Sequence, residues 1–318
     1  MLVNDMISLV REWTDESNTS DLSDSTILSA LNEGLLKLAR LSGKYYPELL
    51  KRTLVTSNYS GRSVTVPSES MAFSVNQVDV IFGVVTYRVD YTNTTNVTQY
   101  ETNNVTAIPV KYTLQGNVLS LYPYPQSGIT TRIRYQLRPP KLVKSMGRIT
   151  SVDDVNGYIY MDSIPSVADG GPSTSTSDLG CFINVINQST GDVTATYQIV
   201  AIDYTANKLT IKSTNLYRDT VYGRTVSTTL STDIGLDDYV CSASGSCIPL
   251  YFSDYYDYIV QYAVVRVKRT FDLNNQDEKE QLEKLERDVK DMWQGKPTGL
   301  RVQARNKHWN RTFYRKRL

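Results

Sequence analysis

Histidine and cysteine are scarce in this sequence, which contains one histidine, His308, and three cysteines. Cys241 and Cys247 lie six residues apart and Cys181 stands alone, so the spacing of a zinc site is missing and free thiols are expected. A Ser/His/Asp or Cys/His arrangement would need His308 as its base, but this residue lies in a basic terminal segment rather than on a rigid element. The sequence therefore predicts a protein that is not an enzyme.

Loops that hold phosphate or calcium are missing as well. Gly170-Gly171 is not followed by the Lys-Ser/Thr pair of a phosphate-binding loop. Residues 153–157 (DDVNG) have neither the spaced oxygen ligands nor the terminal glutamate of a calcium loop. We therefore expect no cofactor and no metal ion.

Long apolar runs are the third absence. No stretch has the length of a membrane span, and no apolar segment follows a basic N-terminus as in a secretory signal. We expect a protein that is not exported and has no membrane partner.

Charge is nearly balanced over the whole chain, at a formal +1, but it is unevenly distributed. Seven bases and no acid lie from Arg301 onward, so residues 1–300 carry a formal charge of −6. The last twelve residues, KHWNRTFYRKRL, interleave cations with aromatic rings. A short basic terminus on an acidic body is typical of an interaction arm, and we predict a basic and aromatic arm over residues 296–318.

Both ends of the body show helical periodicity. Residues 1–52 contain two amphipathic patterns, of which the second begins at Ser23 or Asp24 and ends near Gly43. Residues 248–295 contain two more. Because short amphipathic helices are marginal until they bury their apolar faces, we predict that the two regions pack into one helical bundle.

The middle of the chain alternates apolar and polar residues with period two, as strands do. Residues 53–145 are predicted to form a β-hairpin region. Residues 146–247 are predicted to form an inserted small all-β domain, a sandwich or a barrel, with a type I′ turn at Asn156-Gly157. The predicted fold class is therefore α+β.

Three stretches stand out in order along the chain: residues 23–40 (SDSTILSALNEGLLKLAR), 116–143 (GNVLSLYPYPQSGITTRIRYQLRPPKLV) and 248–269 (IPLYFSDYYDYIVQYAVVRVKR). Together they resemble the head-to-tail adaptor proteins of tailed bacteriophages, also called connector, head-completion or neck-ring proteins. That family has an early helix, a Leu-Tyr-Pro-x-Pro turn, a Pro-x-x-Leu exit and a later helix. The matching positions here are Leu121, Tyr122, Pro123 and Pro125 in the turn, Pro139, Pro140 and Leu142 in the exit, and Pro249, Asp257, Ile259, Tyr262 and Ala263 in the last helix.

The resemblance implies a virion structural protein at the head–tail junction, made in the host cytoplasm. Such adaptors form a homo-oligomeric ring, usually a dodecamer, that contacts the portal protein and other neck or tail proteins. Genomic DNA passes through the channel of the ring. In several relatives the C-terminal segment docks on the portal. Carried over to this chain, the portal-binding residues are Arg305, Lys307, His308, Trp309, Arg311, Phe313, Tyr314, Arg315, Lys316 and Arg317.

One departure from the family leaves other functions open. Compact adaptors pass almost directly from the exit to the last helices, whereas residues 146–247 intervene here. One alternative is a nucleic-acid-binding accessory protein that uses the basic arm on phosphates. Another is a tail or receptor-binding structural protein that acts through the inserted β domain.

Overall fold

The computed structural model describes residues 1–14, 22–59, 61–66, 70–94, 106–175, 179–212, 230, 234–251, 253–271 and 276–295. This part of the chain contains four α-helices and fifteen β-strands, so the predicted α+β class is confirmed. None of the described helices is long and apolar enough to span a bilayer. The helices are α1 (Val3–Trp13), α2 (Asp24–Tyr45), α3 (Tyr256–Thr270) and α4 (Gln276–Gly295).

The strands fall into two larger groups. The first group comprises β1 (Lys51–Tyr59), β2 (Ser63–Thr65), β3 (Ser70–Phe82), β4 (Val85–Tyr91), β6 (Lys111–Gln115), β7 (Val118–Tyr122) and β9 (Ile129–Leu137), and the short β5 (Thr106–Ala107) and β8 (Tyr124–Pro125) pair with each other. The second comprises β10 (Ser145–Asp153), β11 (Tyr158–Met161), β12 (Phe182–Ile186), β13 (Val193–Asp203), β14 (Lys208–Ile211) and β15 (Tyr239–Ser242).

Helix α2 begins where the sequence predicts but ends later. The side chain of Ser23 accepts a hydrogen bond from the backbone N–H of Thr26, as an N-cap does. The helix continues two residues past the predicted stop near Gly43, to Tyr45. A Cβ atom at Gly43 would lie 2.6 Å from the side-chain amide of Gln136, so this glycine allows helix and strand to approach closely.

The four helices share one hydrophobic core. Helical periodicity within residues 248–295 predicts an apolar stripe that lies on α3, is buried and faces α2. Its residues are Tyr256, Ile259, Val260, Ala263, Val264 and Val267. Both ends of the described chain contribute, because α1 and α2 pack with α3 and α4 rather than with a separate unit. The main core residues are Val3, Met6, Ile7 and Val10 of α1, Ile27, Leu31, Leu35 and Leu38 of α2, Ile259, Val260, Ala263, Val264 and Val267 of α3, and Leu282, Val289 and Trp293 of α4.

The first strand group forms a seven-stranded sheet in the order β1-β9-β3-β4-β6-β7-β2. The sheet packs around a core of its own, to which both β3 and β7 contribute. Strand β4 connects its two halves, because it pairs antiparallel with β3 and then parallel with β6 at Asp90 and Tyr91. The core consists of Leu54, Val64, Val66, Val78, Val80, Val89, Tyr112, Leu119, Leu121, Ile129, Ile133 and Tyr135.

The second strand group closes into a barrel in the order β10-β11-β14-β13-β12-β15. Its interior is a third apolar core. Buried, inward-facing side chains alternate with half-buried ones along β13 and β14, as in a small closed barrel. The buried residues include Ile149, Ile159, Met161, Ile183, Val185, Ala195, Tyr197, Ile199, Leu209, Ile211 and Val240.

The turn between β10 and β11 is not the predicted type I′ turn. Of Asn156 and Gly157, only the glycine has a positive φ, of 69°. One carboxylate oxygen of Asp153 accepts hydrogen bonds from the backbone N–H groups of Val155 and Asn156, at 3.0 and 3.1 Å. The aspartate side chain therefore organises a longer turn than the two-residue loop that Asn-Gly indicates.

The hairpin of β13 and β14 repeats this turn. Asp203, fifty residues after Asp153 in the chain, accepts hydrogen bonds from the backbone N–H groups of Thr205 and Ala206, both at 3.1 Å. The positive φ falls on Asn207, at 48°. The barrel thus contains the same hairpin twice.

The two hairpins also pair with each other through β11 and β14. The N–H of Met161 donates to the carbonyl of Asn207 at 2.9 Å, and the N–H of Ile211 donates to the carbonyl of Gly157 at 3.0 Å. These reciprocal bonds join equivalent positions of the two hairpins. A local twofold axis therefore passes between β11 and β14.

Candidate functional site

The chain enters and leaves the barrel through two segments that lie side by side. We term residues 139–143 and 245–249 the joint. The N–H of Val143 donates to the carbonyl of Ser246 at 2.9 Å, and the N–H of Ser246 donates to the carbonyl of Lys141 at 2.8 Å. The two crossings therefore form a short parallel pair rather than two independent linkers.

Helix α2 holds the entering segment through one side chain. The amide nitrogen of Asn32 donates to the carbonyls of Leu28 and Leu142, at 2.8 and 3.1 Å, and its oxygen accepts from the N–H of Leu142 at 2.8 Å. The side chain of Leu142 is buried in the helical core. Asn32 thereby satisfies both backbone groups of a residue that would otherwise bury them without partners.

Helix α1 holds the joint from its N-terminal end. The N–H of Val3 donates to the carbonyl of Cys247 at 3.0 Å. The side-chain oxygen of Asn4 accepts from the N–H of Ser145, the first residue of β10, at 3.2 Å. Hydrogen bonds from two helices therefore fix both crossings, and the barrel is attached to the helical core through them.

A charged cluster completes the contact between the helices and β10. The carboxylate of Asp24 accepts a hydrogen bond from the guanidinium of Arg11 at 2.5 Å. It also forms an ion pair with Lys144, which immediately precedes β10. Burial acts to raise the pKa of Asp24, but the hydrogen bonds and charges of Arg11 and Lys144 outweigh it and hold that pKa below its ordinary value. The ionised carboxylate is therefore the form that the folded protein favours.

Replacing Asp24 with asparagine is expected to remove a pH-dependent contribution to stability. Because the folded-state pKa is lowered, this contribution is present above the ordinary carboxylate range and is lost as the pH falls through the lowered value. We expect Asp24→Asn to reduce the free energy of unfolding by about 1 kcal/mol or less at neutral pH, since the cluster is partly exposed, and to have no effect in strong acid. Urea unfolding followed by circular dichroism at both pH values measures this.

The control for this change is Glu12→Gln, which neutralises an exposed carboxylate on the neighbouring helix. It should shift the unfolding free energy by less than Asp24→Asn at neutral pH. A loss for Asp24→Asn that persists unchanged in strong acid would contradict the assignment of this effect to the ionised carboxylate.

Glycine is required at one position of the joint. A Cβ atom at Gly245 would lie 2.2 Å from the carbonyl oxygen of Lys141 and 2.8 Å from a methyl carbon of Val143. Backbone cannot approach a side chain so closely. The absence of a side chain at Gly245 therefore allows the two crossings to pair.

The residues that carry the adaptor resemblance fall in three places, and the joint is the first. Pro139 and Pro249 are buried there and Pro140 is half-buried. The Pro-x-x-Leu exit and the proline before the last helix are more than one hundred residues apart in the chain, yet the paired crossings bring the two segments together.

The Leu-Tyr-Pro-x-Pro turn lies in the seven-stranded sheet. Leu121 is buried in its core, Tyr122 is buried outside that core, and Pro125 is buried in the short strand β8. The peptide bond before Pro123 is cis. The guanidinium of Arg62 lies 4.4 Å from the ring centroid of Tyr122, a cation–π distance that fixes the outer side of the turn.

The matching residues of the last helix are mainly core residues. Ile259 and Ala263 are fully buried in α3. A Cβ atom at Gly34 of α2 would lie 3.1 Å from the ring of Tyr262, so α2 and α3 are in close contact at this point. Asp257 is exposed in the first turn of α3, where the positive end of the helix dipole stabilises a carboxylate.

The predicted portal-binding arm lies outside the described residues. All ten residues assigned to it follow Gly295, the last residue of α4. Their role in portal binding stays a prediction from the sequence and the resemblance.

A cleft of about 530 Å³ lies beside the joint. One wall is the polar turn of residues 188–192 in the barrel, and the other includes Arg52, Tyr251 and Tyr256. Over the described ranges, no group of three His, Cys, Asp or Glu side chains is placed to hold a metal ion. The cleft lies between the barrel and the helical core, and its lining includes polar side chains from both.

The sequence pattern does not point to the residues that hold the joint. Asn32 lies inside a helical pattern where asparagine is a poor helix former, and this misfit is the one signal of its contact with the exit. Gly245 lies in a run of small residues, CSASGSC, that resembles an ordinary loop. No protein-family model matches the chain, and no curated protein matches it.

Proposed function

We propose that this protein is a virion structural protein that forms a ring-shaped adaptor between the portal and the tail of a tailed phage, without catalytic turnover. The joint is the observation that carries the proposal. Helices from both ends of the described chain share one core, and the barrel leaves that core through two adjacent strands. This arrangement supports a layout in which an adaptor-like body of terminal helices and a β-hairpin region carries an inserted barrel domain.

The position of the insertion supports the adaptor interpretation. The barrel begins after the Pro-x-x-Leu exit and ends before the proline of the last helix, where compact adaptors have a direct connection. Because both ends of the insertion lie side by side, the barrel can be accommodated without a change in the packing of the helices. The extra domain is then free to contact other neck or tail proteins.

The basic arm supplies the contact with the portal in this proposal. Three aromatic rings, Trp309, Phe313 and Tyr314, are suited to pockets on a partner, and the arginines beside them suit bidentate contacts with carboxylates. A ring engages its partner through every subunit at once, which multiplies a modest affinity per arm. Genomic DNA would pass through the centre of the ring.

Deleting residues 301–318 is expected to abolish attachment to portal rings while leaving the body folded. The helical core ends with Trp293 and Gly295 of α4, so the deletion removes no described core residue. We expect binding to fall by more than about tenfold, because every subunit loses its arm. Co-sedimentation of the full and shortened chains with purified portal rings measures the loss, and thermal melting checks the fold.

A matched variant keeps the seven bases and replaces the three aromatic residues with serine. It should lose portal attachment as the deletion does if buried rings anchor the arm. Attachment of the deletion variant at the level of the full chain would count against the docking role.

The concentration of bases in the arm favours one alternative, a nucleic-acid-binding accessory protein. That function predicts tight binding of duplex DNA by the isolated chain, weakening steeply as salt rises because counterions are released from phosphates. Portal attachment anchored by buried rings should change far less with salt. Parallel titrations with DNA and with portal rings at increasing salt separate the two functions.

A further inference from the structure

One half of the seven-stranded sheet, β1-β9-β3-β4, has two strand edges that no described strand covers. Within the described ranges β1 pairs with β9 alone. Strand β4 pairs with β3 from Val85 to Val89, but β6 joins its other side only at Asp90 and Tyr91. Such edges offer backbone hydrogen-bonding groups to another chain.

The open edge of β4 presents the backbone of two exposed residues, Thr86 and Arg88. The N–H of Asp90 points away from β3, because it donates to the carbonyl of Val110 at 3.1 Å. Successive residues of an antiparallel strand direct their N–H groups to opposite sides. The N–H groups of Thr86 and Arg88 therefore point to the same side as that of Asp90, where β6 has not yet joined the sheet.

Exposed apolar side chains lie beside this edge. Val85 and Tyr87 alternate along β4 with the same period as the core residue Val89, but both are exposed. Phe82, which pairs with Val85, is also exposed, and the tip residue Val84 is fully exposed. An open edge with apolar neighbours is a site of association until another chain covers it.

The outer edge of β1 is the second open edge. Its residue Val55 is 48% exposed on the face that points away from the core. Strand pairing places Val55, Arg132, Asp79 and Arg88 in one row across the four strands. Because every neighbouring pair in this half of the sheet is antiparallel, β1 and β4 run in opposite directions.

We infer that β4 of one copy pairs antiparallel with β1 of the next copy, so that the sheet continues from subunit to subunit. A second copy placed beside the first in the same orientation presents its β1 antiparallel to β4, since the two strands run in opposite directions. Continuing the existing rows places Val55 of the second copy beside Arg88, whose methylene groups cover it. On the other face, Thr56 lies beside Tyr87.

A second copy of the chain is the occupant because this pairing covers both open edges in every copy. Pairing of two β4 edges would bring Arg88 of both copies onto one face and would leave both β1 edges open. Contact between β4 and β1 uses two different surfaces of one chain, so it is heterologous and repeats around a ring. The inference therefore rests on the proposed ring assembly and names the surfaces that close it.

Cysteine cross-linking tests this contact directly. Arg88→Cys and Val55→Cys place thiols at exposed positions on one face of the sheet, and the three native cysteines are free and buried. The two full-length variants are treated with a short bismaleimide, separately and as a mixture, with and without portal rings. We expect cross-linked dimers in the mixture and none in either variant alone.

The control mixture combines Val55→Cys with Val155→Cys, whose thiol lies on an exposed turn of the barrel, and should give no dimer. Dimers formed by Arg88→Cys alone would overturn the heterologous contact, because they would report pairing of two β4 edges. Rings that form in the mixture of Arg88→Cys and Val55→Cys without any cross-link would overturn the pairing of β4 with β1.

A proline in the open edge separates backbone pairing from side-chain contact. Thr86→Pro removes an N–H that points away from β3, so the hairpin keeps its own hydrogen bonds while the ring obstructs a partner strand. We expect self-assembly to fall by more than about tenfold, as the loss of one or two backbone hydrogen bonds would cause. Thr86→Val keeps the N–H and should assemble like the unaltered chain.

Thermal melting checks that both Thr86 variants fold, and native mass spectrometry measures their assembly. A Thr86→Pro chain that melts and assembles like the unaltered chain would overturn the pairing. If that chain fails to fold, the cross-linking result decides.

The outcomes separate this contact from the proposed function. Native mass spectrometry of the unaltered chain, alone and with portal rings, reports whether any ring forms. If no ring forms, the adaptor function fails and this contact fails with it. If rings form but the mixture gives no cross-link, the adaptor function stands and this interface is wrong.

Discussion

Replacing Trp293 with alanine is expected to lower the free energy of unfolding by about 4 kcal/mol, as large-to-small changes in well-packed cores do. The indole is 1% exposed and packs at 5.4 Å, between centroids, against the ring of Tyr255. Its N–H donates to the hydroxyl of Tyr255 at 2.8 Å. The change therefore creates a cavity and removes the donor to that hydroxyl.

Urea unfolding monitored by circular dichroism measures this loss. Trp13→Ala is the matched control, because Trp13 is 39% exposed at the end of α1 and should lose far less. Tyr255→Phe removes the hydrogen bond but keeps both rings and should cost about 1 kcal/mol. If Trp293→Ala were no more destabilising than Trp13→Ala, the docking of α4 on the helical core would be wrong.

Replacing Gly245 with alanine is expected to lower the free energy of unfolding by about 3 kcal/mol, since overpacking of this kind forces backbone to shift. The new methyl group would meet the carbonyl of Lys141 at 2.2 Å. The two crossings must move apart to admit it, which weakens the hydrogen bond from Ser246 to Lys141. The barrel should then lose part of its cooperativity with the helical core.

Calorimetry measures both effects, as a lower melting temperature and as a broader or split transition. Gly116→Ala is the matched control. Gly116 has a positive φ of 61°, but no neighbouring atom lies within 4 Å of the point that an added methyl group would occupy. This variant should therefore lose only about 1 kcal/mol, through backbone strain. A cost for Gly245→Ala no greater than this would show that the crossings do not need close contact.

The helices were accessible to sequence reasoning because their signals are local. The stripe of α3, from Tyr256 to Val267, repeats at helical spacing and is buried as expected. The exact end of α2 cannot be predicted from the sequence. A glycine such as Gly43 often ends a helix, but here it allows close contact with Gln136. Composition alone does not distinguish these two uses of glycine.

Turn chemistry explains the largest error in the barrel. The dipeptide Asn156-Gly157 predicts a two-residue turn, but Asp153 captures two backbone N–H groups and sets a longer one. The repeated hairpin is hard to recognise from the sequence. The segments around Asp153 and Asp203 share little beyond the aspartate and alternating apolar residues. The two segments have the same spacing between the aspartate and the apolar residues, but few identical residues.

The joint depends on contacts that no local pattern reveals. Asn32 and Leu142 are separated by 110 residues, and their hydrogen bonds exist only once the sheet returns to α2. Pro139, Pro140 and Pro249 lie between secondary-structure elements, but nothing in the local sequence indicates that the two segments meet. The charge of the C-terminal arm, by contrast, can be read from the residues themselves.

The paired crossings fix the orientation of the barrel relative to the helical core. Two hydrogen-bonded segments resist rotation of the barrel more than a single linker does. In the proposed ring, every subunit would then project its barrel at one common angle. The barrels would together form a crown around the proposed channel, with regularly spaced gaps whose width follows from the number of subunits. A neck or tail protein that binds this crown would contact a surface that has the rotational symmetry of the ring.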